Sequence, residues 1–550
     1  MSLIEPSAIS SEIWDVIVIG SGPAGLAFVQ EYTKKLHQSK ILLVEFGLES
    51  EPSTNALDES IDILNPENHH LPYDCTNKGL GGTSATWGGR CVSYDEIDFI
   101  PRSIIGDNCT WDLSIFEDVK RFYGPAAELL DCGKPAFNLK EIPESGNRRI
   151  AEGFQEGDWL DSAVERWSLP TRLGPKYNEI LREASNVRVV FGIQASRIGE
   201  SSDGVRTVEL VDRSNGQALT SRGKRVVVAA GAQESTRILL QSSHLFPGGK
   251  TPYALGRFYQ GHISGKIASI RFSGNPRLTD FGMPRDAEGI YFRRRFQLTT
   301  DALIREGLLN TAIWTDNPLY YDARHRSGTM SMIYLMLIAP VIGKKLAPAP
   351  IRNSLTKGKV SNVPAHLMNI LRGFPKSLFE PFLIFSKRYL PKRKLPGVFL
   401  YSPKNEYALH FHAEQQPIEG NYMKLSEDGK RLQIQYGYTD EDVRSVLRVH
   451  EMLDAWLKKL GCGELVYWYP KEELAEQVRK GSSDGVHQVG TTRISSSAEA
   501  GVVDYDLKVW GTDDVYVCSS SCFPTSGQAN PTFLLAAFGA RLAHQIATQK

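Results

Sequence analysis

Two apolar patterns alternate along the chain. Residues 16–19 (Val-Ile-Val-Ile) and 41–44 (Ile-Leu-Leu-Val) are short runs with no polar face, as expected of parallel strands buried from both sides. Between them, starting after Gly22, Ala24, Leu26, Ala27, Val29 and Leu36 mark the packing surfaces of a helix. Val187–Val190 and Val205–Val211 predict short strands, with Asn186 and Asp212 as turn signals. Residues 225–233 predict a buried strand ending in a small-residue turn. Residues 405–412 and 431–438 alternate as strands do. A helix is predicted over 440–460, beginning after Thr439 and carrying Val443, Val446, Leu447, Met452, Leu453 and Trp456. The end returns to α/β, with a strand at Val515–Cys518 and an apolar helix from Pro531 to about Thr548.

The turn after the first strand reads Gly20-Ser-Gly-Pro-Ala-Gly25. Gly20 makes the tight turn, Gly22 lets backbone approach a pyrophosphate, and Gly25 lets helix and strand pack closely. The helix N-terminus presents free N–H groups and the positive end of its dipole to phosphates. Glu45 ends the second strand, 20 residues past Gly25, where a carboxylate accepts hydrogen bonds from a ribose diol. A dinucleotide site is expected. NAD and FAD proteins share this fingerprint, and three features favour FAD: its position at the start of a long chain, a second glycine-dense stretch at 79–90, and a small-residue turn at Val226–Ala232 that fits the ADP half.

Composition narrows the class. With 550 residues, two joined domains are the natural division. The 63 basic and 63 acidic side chains cancel, so no global basic field points to nucleic acid. The seven scattered cysteines fit reduced thiols and a cytoplasmic protein, and Met1–Trp14 shows no secretion signal. Cys518 and Cys522 are read as wall residues, and no metal-ligand spacing, nucleophile elbow or phosphate-binding P-loop is found. His69-His70 is read as a solvated loop pair.

One segment departs from this balance. Met330–Ile342 is almost wholly apolar but about 13 residues long, short of the roughly 20 that span a bilayer. From Gly343 to Gly397 there are 12 Lys+Arg against one acid, Glu380. Interleaved with Leu378, Phe379, Phe382, Leu383, Ile384 and Phe385, this basic stretch reads either as an interfacial element on anionic lipid or as a surface lid packed on its own domain or a partner.

The motifs Gly20–Gly25, Gly81-Gly-Thr-Ser-Ala-Thr-Trp-Gly88, Ala229-Ala-Gly-Ala-Gln-Glu-Ser-Thr236, Glu414-Gln-Gln-Pro417, His487-Gln-Val-Gly-Thr-Thr-Arg493, Phe523-Pro-Thr525 and Ala529-Asn-Pro-Thr532 follow one another in this order. By them the chain resembles the glucose–methanol–choline (GMC) flavin oxidoreductases, nearest the pyranose-oxidase-like branch. The likeness runs nearly end to end, weakest over 100–180 and 270–400. It implies an α/β fold: a Rossmann-like FAD-binding domain with a parallel sheet (1–100, 181–260 and 481–550) and a substrate domain with a mostly antiparallel sheet and flanking helices (101–180 and 261–480, with the insertion 329–397). It also implies oxidation of a CH–OH group by hydride transfer to flavin N5. Two positions depart from the family. Thr86 stands where some pyranose oxidases attach FAD through a histidine, so FAD is expected to be non-covalent. Ser519 stands where many members carry an aspartate.

The expected cofactor contacts are Gly20, Gly22, Ala24, Gly25, Glu45, Gly81, Gly82, Thr83, Ser84, Trp87, Ala195, Ala230, Gly231, Ser519, Asn530, Pro531 and Thr532. His487 is the expected base, since a neutral imidazole suits proton removal near pH 7. Asn530 either orients the substrate oxygen or caps the last helix ahead of Pro531. His410, His412 and Glu414 share one strand face and are weak candidates for substrate contact. Arg257 and His262 are read as structural support. The expected substrate is a sugar, glycoside or polyol, with O2, a quinone or a carrier protein as acceptor. The competing readings are a flavin dehydrogenase of a lipid-linked or apolar alcohol at the inner membrane face, and a flavin-bound protein without alcohol chemistry.

Overall fold

A computed structural model describes residues 2–49, 60–142, 149–346, 352, 355–356, 361–397, 399–400, 402 and 404–549. Its first sheet has strand order Ser2–Leu3, Val187–Phe191, Ile41–Glu45, Ile13–Ile19, Ala218–Val228, Val205–Asp212 and Ile193–Ser202. Val515–Val517 lies beside the end of Ala218–Val228. The strands from Ser2–Leu3 to Ala218–Val228 pair in parallel. The last two add antiparallel partners. The fully apolar strands predicted at 16–19 and 41–44 are the central ones, and all their side chains are buried. Helix Pro23–Lys35 covers them, and helix Thr532–Thr548 packs on that helix. Gly539 permits that approach, because a methyl group there would stand 2.8 Å from Ala27 Cβ.

The second sheet is antiparallel throughout, ordered Gly463–Tyr467, His262–Phe272, Glu406–Glu414, Thr311–Asp316, Phe292–Leu298, Trp159–Trp167 and Arg90–Cys91. Helix Asp440–Leu460 covers it with Val443, Val446, Val449, Leu453 and Leu457. That helix begins where the sequence places it, because Thr439 and Asp442 form a reciprocal capping box. Arg90–Cys91 comes from the N-terminal third of the chain yet pairs with this antiparallel sheet. It thereby brings the Arg90 guanidinium within electrostatic reach of His262, His412 and His487. A small third sheet joins Tyr422–Leu425, Leu432–Gln435 and Ile61–Ile63.

The insertion is helical: Gly328–Ile338, Pro340–Leu346, Val363–Arg372 and Lys376–Tyr389. It has its own small core of Tyr320, Met330, Ile333, Tyr334 and Leu337. Lys357 and Lys359 of its basic stretch lie outside the described residues.

Candidate active site

A cleft with about 1350 Å³ of open space runs along the carboxyl ends of the parallel strands, where ligands of open α/β sheets bind. Three helices begin at its wall. Their N-cap residues are Gly22, Ala230 and Pro531, and none makes a side-chain cap hydrogen bond. The first-turn N–H groups are therefore left for a ligand, and three positive helix ends converge on one channel. Gly20 holds φ 102°, and a Cβ at Gly25 would meet the Gly20 carbonyl oxygen at 2.0 Å. Both positions thus require glycine, for turning and for close packing respectively. Apolar Val44, Ile193, Ala195 and Ile238 line the same cleft and fit a flat aromatic base. A long, phosphate-bearing dinucleotide such as FAD matches this donor set.

Of the expected cofactor contacts, Gly20, Gly22, Ala24, Glu45, Gly82, Thr83, Ala195, Ala230, Gly231, Ser519, Pro531 and Thr532 line the cleft. Gly25, Gly81, Ser84, Trp87 and Asn530 do not. Ser84 is buried, donating to the Gly81 carbonyl at 2.7 Å and accepting from Leu173 N–H at 3.1 Å. Trp87 Nε1 donates to the Thr171 carbonyl at 3.0 Å. Both brace the glycine-rich loop from behind, and Gly81 packs there against the Gly174 backbone. Glu45 is at the wall, but its carboxylate already accepts from the N–H groups of Ser21, Gly47 and Gly79 and from the Ser21 hydroxyl. It ties the first turn to the second glycine-rich stretch, and a ribose would share those lone pairs.

The far end of the cleft is lined by Val486, His487 and Gln488. Asn530 Nδ2 donates to His487 Nε2 at 2.9 Å. An amide nitrogen only donates, so Nε2 carries the lone pair and the neutral ring holds its proton on Nδ1. His487 Nδ1 and Asn530 Oδ1 are buried and make no hydrogen bond. Asn530 therefore faces the imidazole and does not cap the last helix.

Two more imidazoles stand against His487. Its ring meets His262 edge-on, with centroids 4.9 Å apart, and His412 at 5.7 Å. His262 lies over His412 at 4.1 Å. Neither nitrogen of His262, nor Nε2 of His412, makes a hydrogen bond. Burial holds all three rings below the ordinary histidine range, His262 at about 3, and the nearby Arg90 charge pushes each further the same way. Arg90 itself is brought down by burial to about 10 despite its 2.5 Å ion pair with Glu165. It remains cationic at neutral pH and sits 4.4 Å over the Trp314 ring. A fixed cation facing three neutral imidazoles opposes a metal ion there and favours groups that exchange hydrogen bonds.

The structure corrects three expectations. Glu414 is fully buried. Arg102 grips it with two hydrogen bonds of 3.0 and 2.8 Å, and Asn310 N–H donates to it at 2.9 Å, so it is a strut and not a substrate contact. His410 stacks on Trp314 at 4.5 Å, and its Nε2 lies 3.0 Å from Ser264 Oγ; it is a step removed from His487. His69 and His70 are not a solvated pair. His69 is buried against the Tyr259 hydroxyl at 2.7 Å, and His70 bonds to buried Asp484.

His262 and Arg90 are the residues the sequence reading undervalued. His262 pairs across the ladder from Glu414, and Ser264 from His412. Alternation shows that His410 and His412 share a face, but only the strand pairing reveals which imidazole comes to lie beside them.

Residues 417–539 match the GMC oxidoreductase family. Over 97% of the chain and 91% of its own length, paromamine 6'-oxidase of Streptomyces fradiae is 21% identical. The 6'''-hydroxyparomomycin C oxidase of Streptomyces lividus is 24% identical over 49% of the chain and 56% of its own length. Among solved structures, a fungal aryl-alcohol oxidase superposes with a TM-score of 0.52 at 14% identity, covering 98% of this chain and 99% of its own. Pyridoxine 4-oxidase from Mesorbium loti does so with 0.51 at 15%, covering 97% and 99%. With the cleft, the fold and the ordered motifs, these likenesses mark the chain as an FAD-dependent oxidoreductase that acts on CH–OH donors, similar over residues 417–539 to the GMC oxidoreductases.

Proposed function

We propose that the chain oxidises a hydroxyl of a sugar, glycoside or polyol to a carbonyl, with His487 as the base and O2 as the electron acceptor. The observation that carries this reading is the His487–Asn530 pair at one end of the dinucleotide cleft, with an imidazole lone pair on Nε2 and an unpartnered amide oxygen beside it. Bound FAD supplies the hydride acceptor. The substrate hydroxyl replaces the Asn530 amide as the donor to Nε2, and His487 takes its proton there. Asn530 then turns its N–H toward the substrate oxygen and holds the charge that develops as the proton leaves. His262 and His412 offer unpartnered ring nitrogens to neighbouring hydroxyls, which suits a polyhydroxylated substrate better than a simple alcohol.

The side chains at hand support non-covalent cofactor binding. Thr86 is exposed, and its hydroxyl accepts from Asn77 Nδ2 at 2.5 Å. It has no ring nitrogen to offer the flavin. Cys75 also lines the cleft, but burial and the charges of Asp484 and Asp74 push its thiol up, away from the thiolate.

The sugar class is supported by the paromamine and hydroxyparomomycin relatives, and the acceptor by their being oxidases. The test is anaerobic flavin bleaching against sugars, aminoglycosides, other glycosides and apolar alcohols, followed by readmission of air and measurement of peroxide. Fast bleaching by glycosides with peroxide on reoxidation is expected. Bleaching by apolar alcohols alone would overturn the substrate assignment, and release of FAD on denaturation distinguishes a free from a tethered cofactor.

A further inference from the structure

Helix Asp440–Leu460 buries valine and leucine and exposes charge. Two helices of the insertion, outside its small apolar core, reverse this. Helix Val363–Arg372 buries His366 and Asn369. His366 Nδ1 lies 3.0 Å from Ser331 Oγ, and Asn369 Nδ2 donates to the Ala323 carbonyl at 2.8 Å. Its outer face carries Leu367, Met368 and, 69% exposed, Leu371. Helix Lys376–Tyr389 turns Ser377 inward against Gly328. It turns Phe379, Phe382 and Leu383 outward, at the i, i+3, i+4 spacing of one helical stripe; they are 65, 67 and 60% exposed. Phe374, in the link between the helices, is 66% exposed, and Leu390 just beyond them is 82% exposed. Scattered exposed leucines need no explanation. A contiguous apolar face on two consecutive helices, turned outward while Ser377, Pro381, His366 and Asn369 are buried, does.

The cations lie on the same elements. Lys344, Lys345, Arg372, Lys387 and Lys392 are exposed, and among the described residues none is ion-paired. The segment's one acid is already engaged: Glu380 accepts the Thr329 hydroxyl at 2.5 Å and pairs with Lys376 at 3.5 Å. Arg393 is turned back to Asp131 of the body at 2.7 Å, which anchors the end of the insertion. No single helix among the described residues is long and apolar enough to cross a membrane, and the apolar pair Gly328–Ile338 and Pro340–Leu346 is bent by 104°.

We propose that the outer face of helices Val363–Arg372 and Lys376–Tyr389 is a docking surface for an anionic lipid membrane, on which the protein lies without spanning it. Phenylalanine and leucine enter the boundary between headgroups and acyl chains, while the flanking lysines and arginines meet lipid phosphates. Charge selects this occupant. The stretch 343–397 carries 12 cations against one anion within a neutral chain, so a second copy placed face to face would set cation against cation. The own-domain lid expected as the alternative leaves these apolar side chains uncovered.

The test uses the full-length, FAD-loaded protein and sedimentation with vesicles of phosphatidylcholine, alone or mixed with phosphatidylglycerol, at low and high salt. Binding should be at least about tenfold tighter to the mixed vesicles, and weaker at high salt. Exchanging Arg372→Gln, Lys387→Gln and Lys392→Gln together should cost about 100-fold, at about fivefold per cation. Exchanging Phe379→Ser, Phe382→Ser and Leu383→Ser should abolish binding to either vesicle. Both variants should keep wild-type rates of alcohol-dependent flavin bleaching, which shows that they are folded. Equal binding to neutral and anionic vesicles, binding that survives the apolar exchanges, or self-association through this face without vesicle binding would overturn the proposal.

Discussion

Two histidines flank the Asp484–His487 turn, and their partners set them apart. His70 bonds to Asp484, a buried carboxylate that also accepts Val486 N–H at 2.9 Å. Burial works against charge on both groups. Their mutual attraction outweighs it, raising His70 and holding Asp484 below the usual carboxylate range. His487, three residues past Asp484, is given a neutral amide instead. With nothing to offset burial and the nearby charges, it falls well below the ordinary histidine range. A charged partner makes a clasp that fixes the turn. A neutral partner leaves a lone pair free to take a proton. On the proposed reading, chemistry at neutral pH uses the second arrangement, and the first holds the turn beside it.

The contrast is broken most directly by removing the free base. His487→Ala should slow substrate-dependent flavin bleaching by about 10²–10⁴-fold, with FAD content unchanged. Making the two pairs alike is subtler. Asn530→Asp places a carboxylate 2.9 Å from the imidazole. It should raise the acid limb of the kcat/KM–pH profile by about 1–3 pH units, visible in steady-state rates between acid and neutral pH. Weakening the clasp has a structural effect: His70→Ala leaves Asp484 with backbone donors alone and should cost about 1–3 kcal/mol in urea unfolding of the FAD-loaded protein.

The pH dependence of stability also separates the two environments, and its sign differs between them. For His262 and His412 the folded value is depressed. The unfolded chain therefore binds protons first as pH falls below about 6.5, and each ring removes up to about 1.4 kcal/mol per pH unit from there downward. For His70 the folded value is raised. Its contribution is complete below about 6.5 and is lost as pH rises through that raised value. Denaturant unfolding across pH should show His262→Gln flattening the acid slope and His70→Gln removing the opposing one.

Much of the cofactor half was legible because its signals are local. Gly20, Gly22 and Gly25 each satisfy a constraint set within a few residues, and both central strands declare themselves by having no polar face. Helix Asp440–Leu460 was legible for the same reason, with its cap and apolar stripe adjacent in sequence. Local signals misled where a side chain's partner is distant. Glu414 looked free on its strand face, yet Arg102, 312 residues away, holds it. His70 looked solvated until Asp484, 414 residues on, closed against it. His262 and Arg90 reach the site only through strand pairings, and no periodicity encodes which strands become neighbours. The insertion's composition was evident, but the reversed burial of two of its helices was not, because charge counts do not say which side of a helix faces inward.

The pH dependence of flavin bleaching under anaerobic conditions, with a glycoside that reduces the wild type, tests the central claim most directly. A neutral, depressed His487 predicts a rate that holds steady from neutral pH down past about 6.5 before falling, and a His487→Ala variant slower at every pH. A wild-type rate that already halves above 6.5, or a variant that bleaches as fast as the wild type, would contradict the assignment of this imidazole as the base.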